Sequence, residues 1–186
     1  MMIRQTILAL AIVALVGNTL NAQKYFTKSG SIRFFSTTKV EDIEATSSTA
    51  TCVVDATTGD VQWSVLVKDF HFEKALMEEH FNENYMESTK FPKADFKGKI
   101  ENIATVNFKA DGTYSVKVKG DLTMHGVTKN ITTDATITVK AGAVSCSAKF
   151  NVNPDDYNIA IPATVQDKIS KSIEVTVSAT LAELKK

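Results

Sequence analysis

Alternating apolar and polar residues between positions 114 and 152 form the clearest pattern in the chain. Successive side chains of a β-strand point to opposite faces, so this period of two predicts strands with one dry and one wet face. The alternation occurs three times in succession, interrupted first by Gly126 and then by Ala141-Gly142. The stretch therefore predicts three consecutive strands with short turns, whose apolar faces share one core.

The same reasoning predicts further strands elsewhere in the chain, because a lone ribbon cannot bury such a face. The additional strands are predicted at 25–35, 39–46, 49–55, 61–70, 96–103, 105–109 and 172–181. One segment has a different period: Leu76, Met77, Phe81 and Tyr85 follow one another at helical spacing and predict a helix of about three turns. Segment 153–171 is irregular and is expected to be a loop that crosses one end of the fold.

About eight strands and one helix favour an all-β fold, either a closed antiparallel barrel or a sandwich. We prefer the barrel because closure removes exposed strand edges, which long Thr- and Val-rich strands would otherwise leave open to aggregation. One domain accounts for residues 23–186.

The first 22 residues are set apart from this domain as a secretory signal peptide. Arg4 supplies a short positive region, residues 7–16 form an apolar segment, and Leu20-Asn21-Ala22 offers a cleavage site. The alternative, a membrane-spanning helix, is weaker because the apolar run is shorter than the ~20 residues that a bilayer requires. We therefore expect a periplasmic or secreted protein, cleaved near Ala22, without a stable membrane anchor.

The charge of the chain is balanced, with 21 basic and 21 acidic side chains. This balance gives no electrostatic attraction to nucleic acid or to an anionic membrane. The expected partner is therefore a neutral or apolar molecule, and no nucleic acid.

The sequence offers little for catalysis. His71, His80 and His125 are not accompanied by carboxylates at ligand spacing, so no metal site is expected. There is no G-x-S-x-G motif for a nucleophilic serine. His125 follows a strand end, and we expect it to be a turn residue that bonds the backbone.

Two cysteines, Cys52 and Cys146, both lie on the apolar side of their predicted strands. Export would place them where a disulfide persists. Two alternatives remain open from the sequence: a bridge across the interior, or two small buried hydrophobic side chains.

Particular residues also point to a family. Residues 120–129, Gly-Asp-Leu-Thr-Met-His-Gly-Val-Thr-Lys, resemble the G-D-L-T-[IM]-H-G-V-T-[KR] motif of the YceI-like, lipocalin-like family. Less specific blocks that are similar to the same family lie at 77–81, 85–86, 90–96, 150–153 and 156–159. Together these blocks span most of the predicted domain.

The resemblance implies an eight-stranded antiparallel lipocalin-like β-barrel with one short α-helix near the barrel mouth. It also implies a non-catalytic, lipid-binding protein of the periplasm that holds a long isoprenoid-type ligand, polyprenyl or quinone-like, for transport, storage or envelope stress protection. No other cofactor is implied. The helix departs from the family pattern because it is rich in Glu and lacks the basic residues often seen there.

On this hypothesis large apolar side chains line a ligand tube, since an eight-stranded barrel holds either packed side chains or one small ligand. The predicted lining residues are Phe34, Trp63, Val65, Leu76, Phe81, Phe96, Tyr114, Val116, Val118, Leu122 and Phe150. The alternative is a solid barrel, filled by the same side chains, that acts as an interaction or stress-response module of the cell envelope and could form a homodimer.

Overall fold

The computed structural model of the chain describes residues 23–184, so the predicted signal peptide, 1–22, lies outside the described residues. Nine strands lie within residues 23–184. They are β1 Lys24–Thr37, β2 Asp42–Asp55, β3 Asp60–Leu66, β4 His71–Phe72, β5 Lys93–Ile100, β6 Gly112–Met124, β7 Val127–Lys140, β8 Ala143–Val152 and β9 Ile173–Glu183. No helix between residues 23 and 184 is both long and apolar enough to cross a membrane.

The helical parts are short. Helix α1, Ala75–His80, continues into a π-helical turn, Phe81–Tyr85. The remaining helical turns are of the 3₁₀ type, at Val67–Asp69, Ile103–Thr105, Pro154–Tyr157 and Ala163–Val165.

Eight of the strands close into an antiparallel barrel in the order β1-β2-β3-β5-β6-β7-β8-β9. Closure is complete because β1 pairs with β2 on one side and with β9 on the other. The two-residue strand β4 adds only a short pairing to β2, through Ala45 and Phe72. The predicted eight-stranded antiparallel barrel with one short helix is therefore confirmed.

The two ends of the barrel differ in what covers them. At one end, called here the helix end, lie segment 67–92 with α1, the β6–β7 turn and segment 153–172. At the opposite end, the terminal end, lie the short turns β2–β3 and β7–β8, the β5–β6 connection, and residues 23 and 184.

The terminal end is filled by side chains. Val139, Val144 and Leu181 are buried there within one core cluster, and Tyr25 stacks on Phe108 with ring centroids 5.2 Å apart. These residues occupy the inward parity of their strands, as the alternation predicts. The barrel is thus plugged at the end that carries residues 23 and 184.

A pair of glycines allows β5 and β6 to approach each other closely inside the barrel. Gly98 and Gly120 are register partners, and the ring of Phe96 lies over both. A Cβ on Gly120 would lie 2.4 Å from Gly98 Cα and 2.7 Å from Phe96 Cζ. Glycine at position 120, in the motif block, is therefore required by packing rather than by backbone conformation.

Some predicted element boundaries are wrong. Segment 105–109 is not a strand, because Asn102 and Asn107 bond nearby backbone groups and stabilise turns. Asn102 Oδ1 accepts from Lys117 N at 3.0 Å, and Asn107 Oδ1 accepts from Lys109 N at 2.9 Å. The two strands predicted at 39–46 and 49–55 form the single strand β2, because pairing with β1 continues through the buried Ser47.

Candidate ligand-binding cavity

A cavity occupies the barrel from its middle to the helix end. Its volume, measured as the space available to the centre of a water molecule, is about 210 Å³. Apolar side chains from the strands make most of the wall, and they include Ile32, Phe34, Val61, Trp63, Val65, Ala94, Phe96, Val116, Val118, Leu122, Ile131, Ala135, Ala148, Phe150, Val175 and Val177. The interior is therefore hollow at one end and packed at the other.

The chemistry of the wall is almost uniform. Apart from Asp95, Thr133 and Ser147, the residues that line the cavity carry apolar or thiol side chains. A water molecule needs two to four polar partners to be held in a cavity. This wall offers few, so the space suits an apolar guest.

Most of the predicted lining residues do lie on this wall. The structure places there Phe34, Trp63, Val65, Phe81, Phe96, Val116, Val118, Leu122 and Phe150. Five strands and the helical segment thus bring these side chains to one space, although nothing in their sequence spacing places them together.

Leu76 and Tyr114 do not line the cavity, so the prediction for these two residues is wrong. Leu76 lies on the outer face of α1 and is 62% exposed. Tyr114 packs against the core cluster at the plugged end, and its hydroxyl donates to Asn107 O at 3.4 Å. The alternation correctly predicts that Tyr114 lies on the apolar face of β6. Its position along the strand determines that it packs at the plugged end and not in the cavity.

Further lining residues come from the irregular segments at the helix end. Val67, Phe70 and Met86 belong to segment 67–92, and Pro154 and Ile159 belong to segment 153–172. No periodicity marks these residues in the sequence. The resemblance of residues 85–86 and 156–159 to family blocks was the signal that pointed to Met86 and Ile159.

Four phenylalanine rings close the helix end above the cavity. Phe81, from the helical segment, stacks on Phe34 of β1 with centroids 5.3 Å apart. It also contacts Phe70 at 5.9 Å and Phe72 at 5.1 Å. Such aromatic pairs add about 0.5–1.5 kcal/mol each beyond the area they bury. Phe81 is therefore the side chain that anchors the helical segment to the barrel.

His125 joins the two segments that cover the helix end. Its Nδ1 lies 2.9 Å from Tyr157 O, and its Nε2 lies 3.0 Å from Glu87 Oε2. The ring packs edge-on against Phe91 at 4.6 Å, and the side chain is only 9% exposed. The prediction that His125 bonds the backbone from a turn is confirmed. Its second bond, to Glu87, was not predicted because the partner is 38 residues away.

The turn itself explains why Gly follows His125. His125 and Gly126 have φ values of +51° and +74°, the combination found in a type I′ hairpin turn. At Gly126 a Cβ would also meet the Phe91 ring at 2.6 Å. The β6–β7 turn is thus shaped to point the imidazole back across the helix end.

The backbone ladder between β7 and β8 covers only part of the length of the two strands. Their register runs only from Ala135 paired with Ala148 to Lys140 paired with Ala143. Beyond Ala135 the first half of β7 pairs with β6 alone, while Thr133 Oγ1 donates to Lys149 O at 3.2 Å. Beyond the end of the backbone ladder, the Thr133 side chain therefore connects β7 to β8 on this side of the cavity.

Cys52 and Cys146 are free thiols on the inward sides of β2 and β8. Interaction with Cys146, and then burial, raise the pKa of Cys52. Interaction with Cys52 lowers the pKa of Cys146. Cys52 belongs to the core cluster at the plugged end, and Cys146 packs against that cluster while lining the cavity.

Among residues 23–184 no three His, Cys, Asp or Glu side chains come together in a way that could hold a metal ion. The features that the structure does bring together are a closed antiparallel barrel and a dry interior cavity. They define the class of small β-barrels with an interior ligand site.

Comparison with known sequences identifies the family. The YceI-like domain matches residues 17–181, and the chain belongs to this family. The resemblance seen in the motif blocks is therefore confirmed. Among curated protein sequences none matches the chain.

Solved structures show the same fold at low sequence identity. A polyisoprenoid-binding domain from Saccharophagus degradans, implicated in plant cell wall breakdown, has a TM-score of 0.75 at 14% identity, over 88% of this chain and 99% of that one. BcnA of Burkholderia cenocepacia has a TM-score of 0.66 at 14% identity, over 82% and 96%. The YceI protein of Campylobacter jejuni has a TM-score of 0.56 at 17% identity, over 100% and 94%.

Proposed function

We propose that the protein is an exported carrier that holds one long isoprenoid-type lipid in the barrel cavity and performs no catalysis. The observation that carries this proposal is the apolar cavity of about 210 Å³, which runs from the middle of the barrel to the helix end. A barrel with a side-chain-filled interior would have no place for such a ligand.

The wall supports an apolar chain as the occupant. Burial of each CH₂ group contributes about 0.8 kcal/mol before ordering costs. A branched hydrocarbon therefore gains affinity along its whole length without any specific polar contact. A related barrel from Saccharophagus degradans is described as polyisoprenoid-binding. Polyprenyl lipids and isoprenoid quinones share this kind of chain.

Export is the second part of the proposal. It rests on the Arg4 region, the apolar segment 7–16 and the Leu20-Asn21-Ala22 site. Export can be tested by expressing the full chain in a Gram-negative host. The N-terminus of the protein in the periplasmic fraction is then sequenced. We expect a mature chain that begins at Gln23, and an uncleaved cytoplasmic product would contradict export.

Ligand binding is tested on protein purified without detergent. Organic extraction followed by mass spectrometry should release one isoprenoid lipid per chain at most, and delipidated protein should take up the same lipid again. Absence of any apolar compound in the extract, together with no uptake of added polyprenol or quinone, would refute the proposal.

A cavity-filling variant makes this test specific. Ala148 lines the cavity, whereas Ala143, at the start of the same strand, is exposed. Ala148→Trp should reduce lipid uptake strongly because the indole takes up most of the space. Ala143→Trp is the matched control and should bind as the unaltered protein does. Equal uptake by both variants would show that the lipid binds elsewhere.

The alternative function, a solid interaction or stress-response module, requires a filled interior, and the cavity argues against it. Homodimer formation stays a prediction, because the exposed large apolar side chains Val40, Leu76 and Leu184 do not by themselves define an interface. Light scattering of the purified protein measures the oligomeric state directly.

A further inference from the structure

Two separate segments cover the helix end of the cavity, and one side chain hydrogen-bonds both of them. His125 Nδ1 lies 2.9 Å from Tyr157 O on segment 153–172, and its Nε2 lies 3.0 Å from Glu87 Oε2 on segment 67–92. Among residues 23–184 no other side chain bonds both segments. His125 is therefore the polar link between the two parts of the cover.

Both ring nitrogens of His125 face an acceptor. Tyr157 O is a backbone carbonyl, which only accepts, so Nδ1 carries a hydrogen. Glu87 Oε2 belongs to a carboxylate, which also only accepts when it is ionised. A neutral imidazole has a single N–H. The two contacts together therefore require one proton more than a neutral imidazole and an ionised carboxylate hold between them.

The charged groups around His125 come from the two covering segments. On segment 67–92, Glu87 contacts Nε2, and Lys90 Nζ lies 3.9 Å from the other oxygen of this carboxylate. On segment 153–172, Asp156 precedes the residue that contacts Nδ1. The flanking turn residues 124, 126 and 127 and the Phe91 ring carry no charge. Among the described residues, Glu87 is the one ionised group within salt-bridge distance of the imidazole.

The contact has little to replace it when the extra proton is lost. The His125 side chain is only 9% exposed, so water does not readily take the place of the bond to Glu87. Glu87 is also held at a φ of +44°, a conformation that a non-glycine residue keeps only when its surroundings impose it. Loss of the proton leaves two acceptors 3.0 Å apart, and Glu87 is then free to move away.

We propose that the contact between His125 and Glu87 is a proton-controlled latch on the cover of the cavity. The latch is closed while the extra proton is bound, and it opens when this proton passes to water as the pH rises. Histidine side chains change their charge between about pH 5 and pH 8. The inference rests on the proposed function only for its consequence, which is faster exchange of the lipid when the latch is open.

Hydrogen exchange of the full chain at about pH 5.5 and about pH 8.0 tests the latch, with rates corrected for the intrinsic effect of pH on exchange. In the unaltered protein, amides of segments 81–91 and 153–161 should open about tenfold more often at the higher pH.

Glu87→Gln is the matched variant, because a glutamine amide donates to Nε2 of the neutral ring and its oxygen accepts from the charged ring. Its exchange should change by less than about twofold between the two pH values. The contact of His71 with Glu78 at 3.5 Å also titrates on this segment, but it is the same in both proteins. The same pH effect in both proteins, or none in the unaltered protein, would overturn the proposal.

A second readout links the latch to the cavity. The neutral apolar dye N-phenyl-1-naphthylamine, loaded into delipidated protein, should dissociate several-fold faster at the higher pH from the unaltered protein and at one rate from Glu87→Gln. Dissociation that does not depend on pH in the unaltered protein would overturn control of the cavity. If the dye did not bind at all, that result would count against the proposed function, and hydrogen exchange would still decide whether the latch exists.

Discussion

Replacement of Phe81 by alanine tests whether the helical segment is held on the barrel by aromatic packing. The ring contacts Phe34, Phe70 and Phe72 at centroid distances between 5.1 and 5.9 Å. Truncation of a fully buried phenylalanine costs about 3–5 kcal/mol. Phe81 is only partly buried and borders a cavity, so we expect a loss of about 2–3 kcal/mol in the free energy of unfolding.

Urea denaturation followed by tryptophan fluorescence measures this loss, because Trp63 lies on the same cavity wall. Hydrogen exchange of the amides in segment 75–91 shows whether the helical segment detaches before the barrel unfolds. Leu76→Ala is the matched control on the same segment, since its side chain is 62% exposed. We expect the control to change stability by less than about 0.5 kcal/mol. If Phe81→Ala behaved like the control in both measurements, aromatic anchoring would be refuted.

Three further predictions concern residues of the motif block and the loop above the cavity. His125→Ala removes the contacts to Glu87 and to Tyr157 O, and should lower the free energy of unfolding, measured by urea denaturation, by about 2–3 kcal/mol. A loss below about 0.5 kcal/mol would show that these contacts do not stabilise the helix end. Gly120→Ala should lower the free energy of unfolding by about 1–3 kcal/mol, because the added Cβ would lie 2.4 Å from the backbone of Gly98. Gly142→Ala is the control: its Cβ would have no neighbour within 4 Å, so only the φ of +80° should cost stability, about 1 kcal/mol. A cost for Gly120→Ala no larger than that for Gly142→Ala would show that the close contact at Gly120 does not destabilise the fold. Burial, and then Asp156, raise the pKa of Tyr157 above its ordinary value of 10.0, so the folded protein holds this proton more tightly than the unfolded chain. Its stabilising contribution is complete below pH 10.0 and is lost as pH rises through the folded pKa, and Tyr157→Phe should therefore lose less stability than the unaltered protein between about pH 9 and pH 11.

The barrel could be predicted from the sequence because most of its strands alternate. In β9 the inward residues Ile173, Val175, Val177, Ala179 and Leu181 are all apolar, and a one-residue slip would expose the whole row. In β7 the corresponding row is interrupted by Lys129 and Thr133. Closure itself is not visible in any one strand, since it depends on β1 pairing with β9 across nearly the whole chain. It was inferred from the cost of open edges.

The cavity was harder to predict than its wall. Parity shows that Trp63 and Phe150 point inward, but parity does not tell whether inward side chains meet or leave space between them. Tyr114 is an example: it shares the inward face of β6 with Val116, yet it packs at the plugged end and does not line the cavity. The depth of a residue along the barrel axis depends on shear and tilt, which no local pattern encodes.

The His125 contacts show a similar limit. The turn residues predict a hairpin, and a polar residue at its tip suggests a backbone bond. The carboxylate that completes the contact comes from Glu87, whose own φ of +44° is unusual for a non-glycine residue. A pairing across 38 positions in the chain leaves no trace in local sequence.

The closing of β1 against β9 also fixes where anything attached to the domain must sit. Gln23 O accepts from Ala56 N at 2.9 Å and Lys24 O accepts from Leu184 N at 2.7 Å, so both ends of the described chain are tied down beside each other at the plugged base. A fusion partner, affinity handle or surface tether joined at either point stands a full barrel length from α1. Such an attachment leaves the opposite rim unobstructed, which makes the domain suited to immobilisation with its hollow side facing the solution.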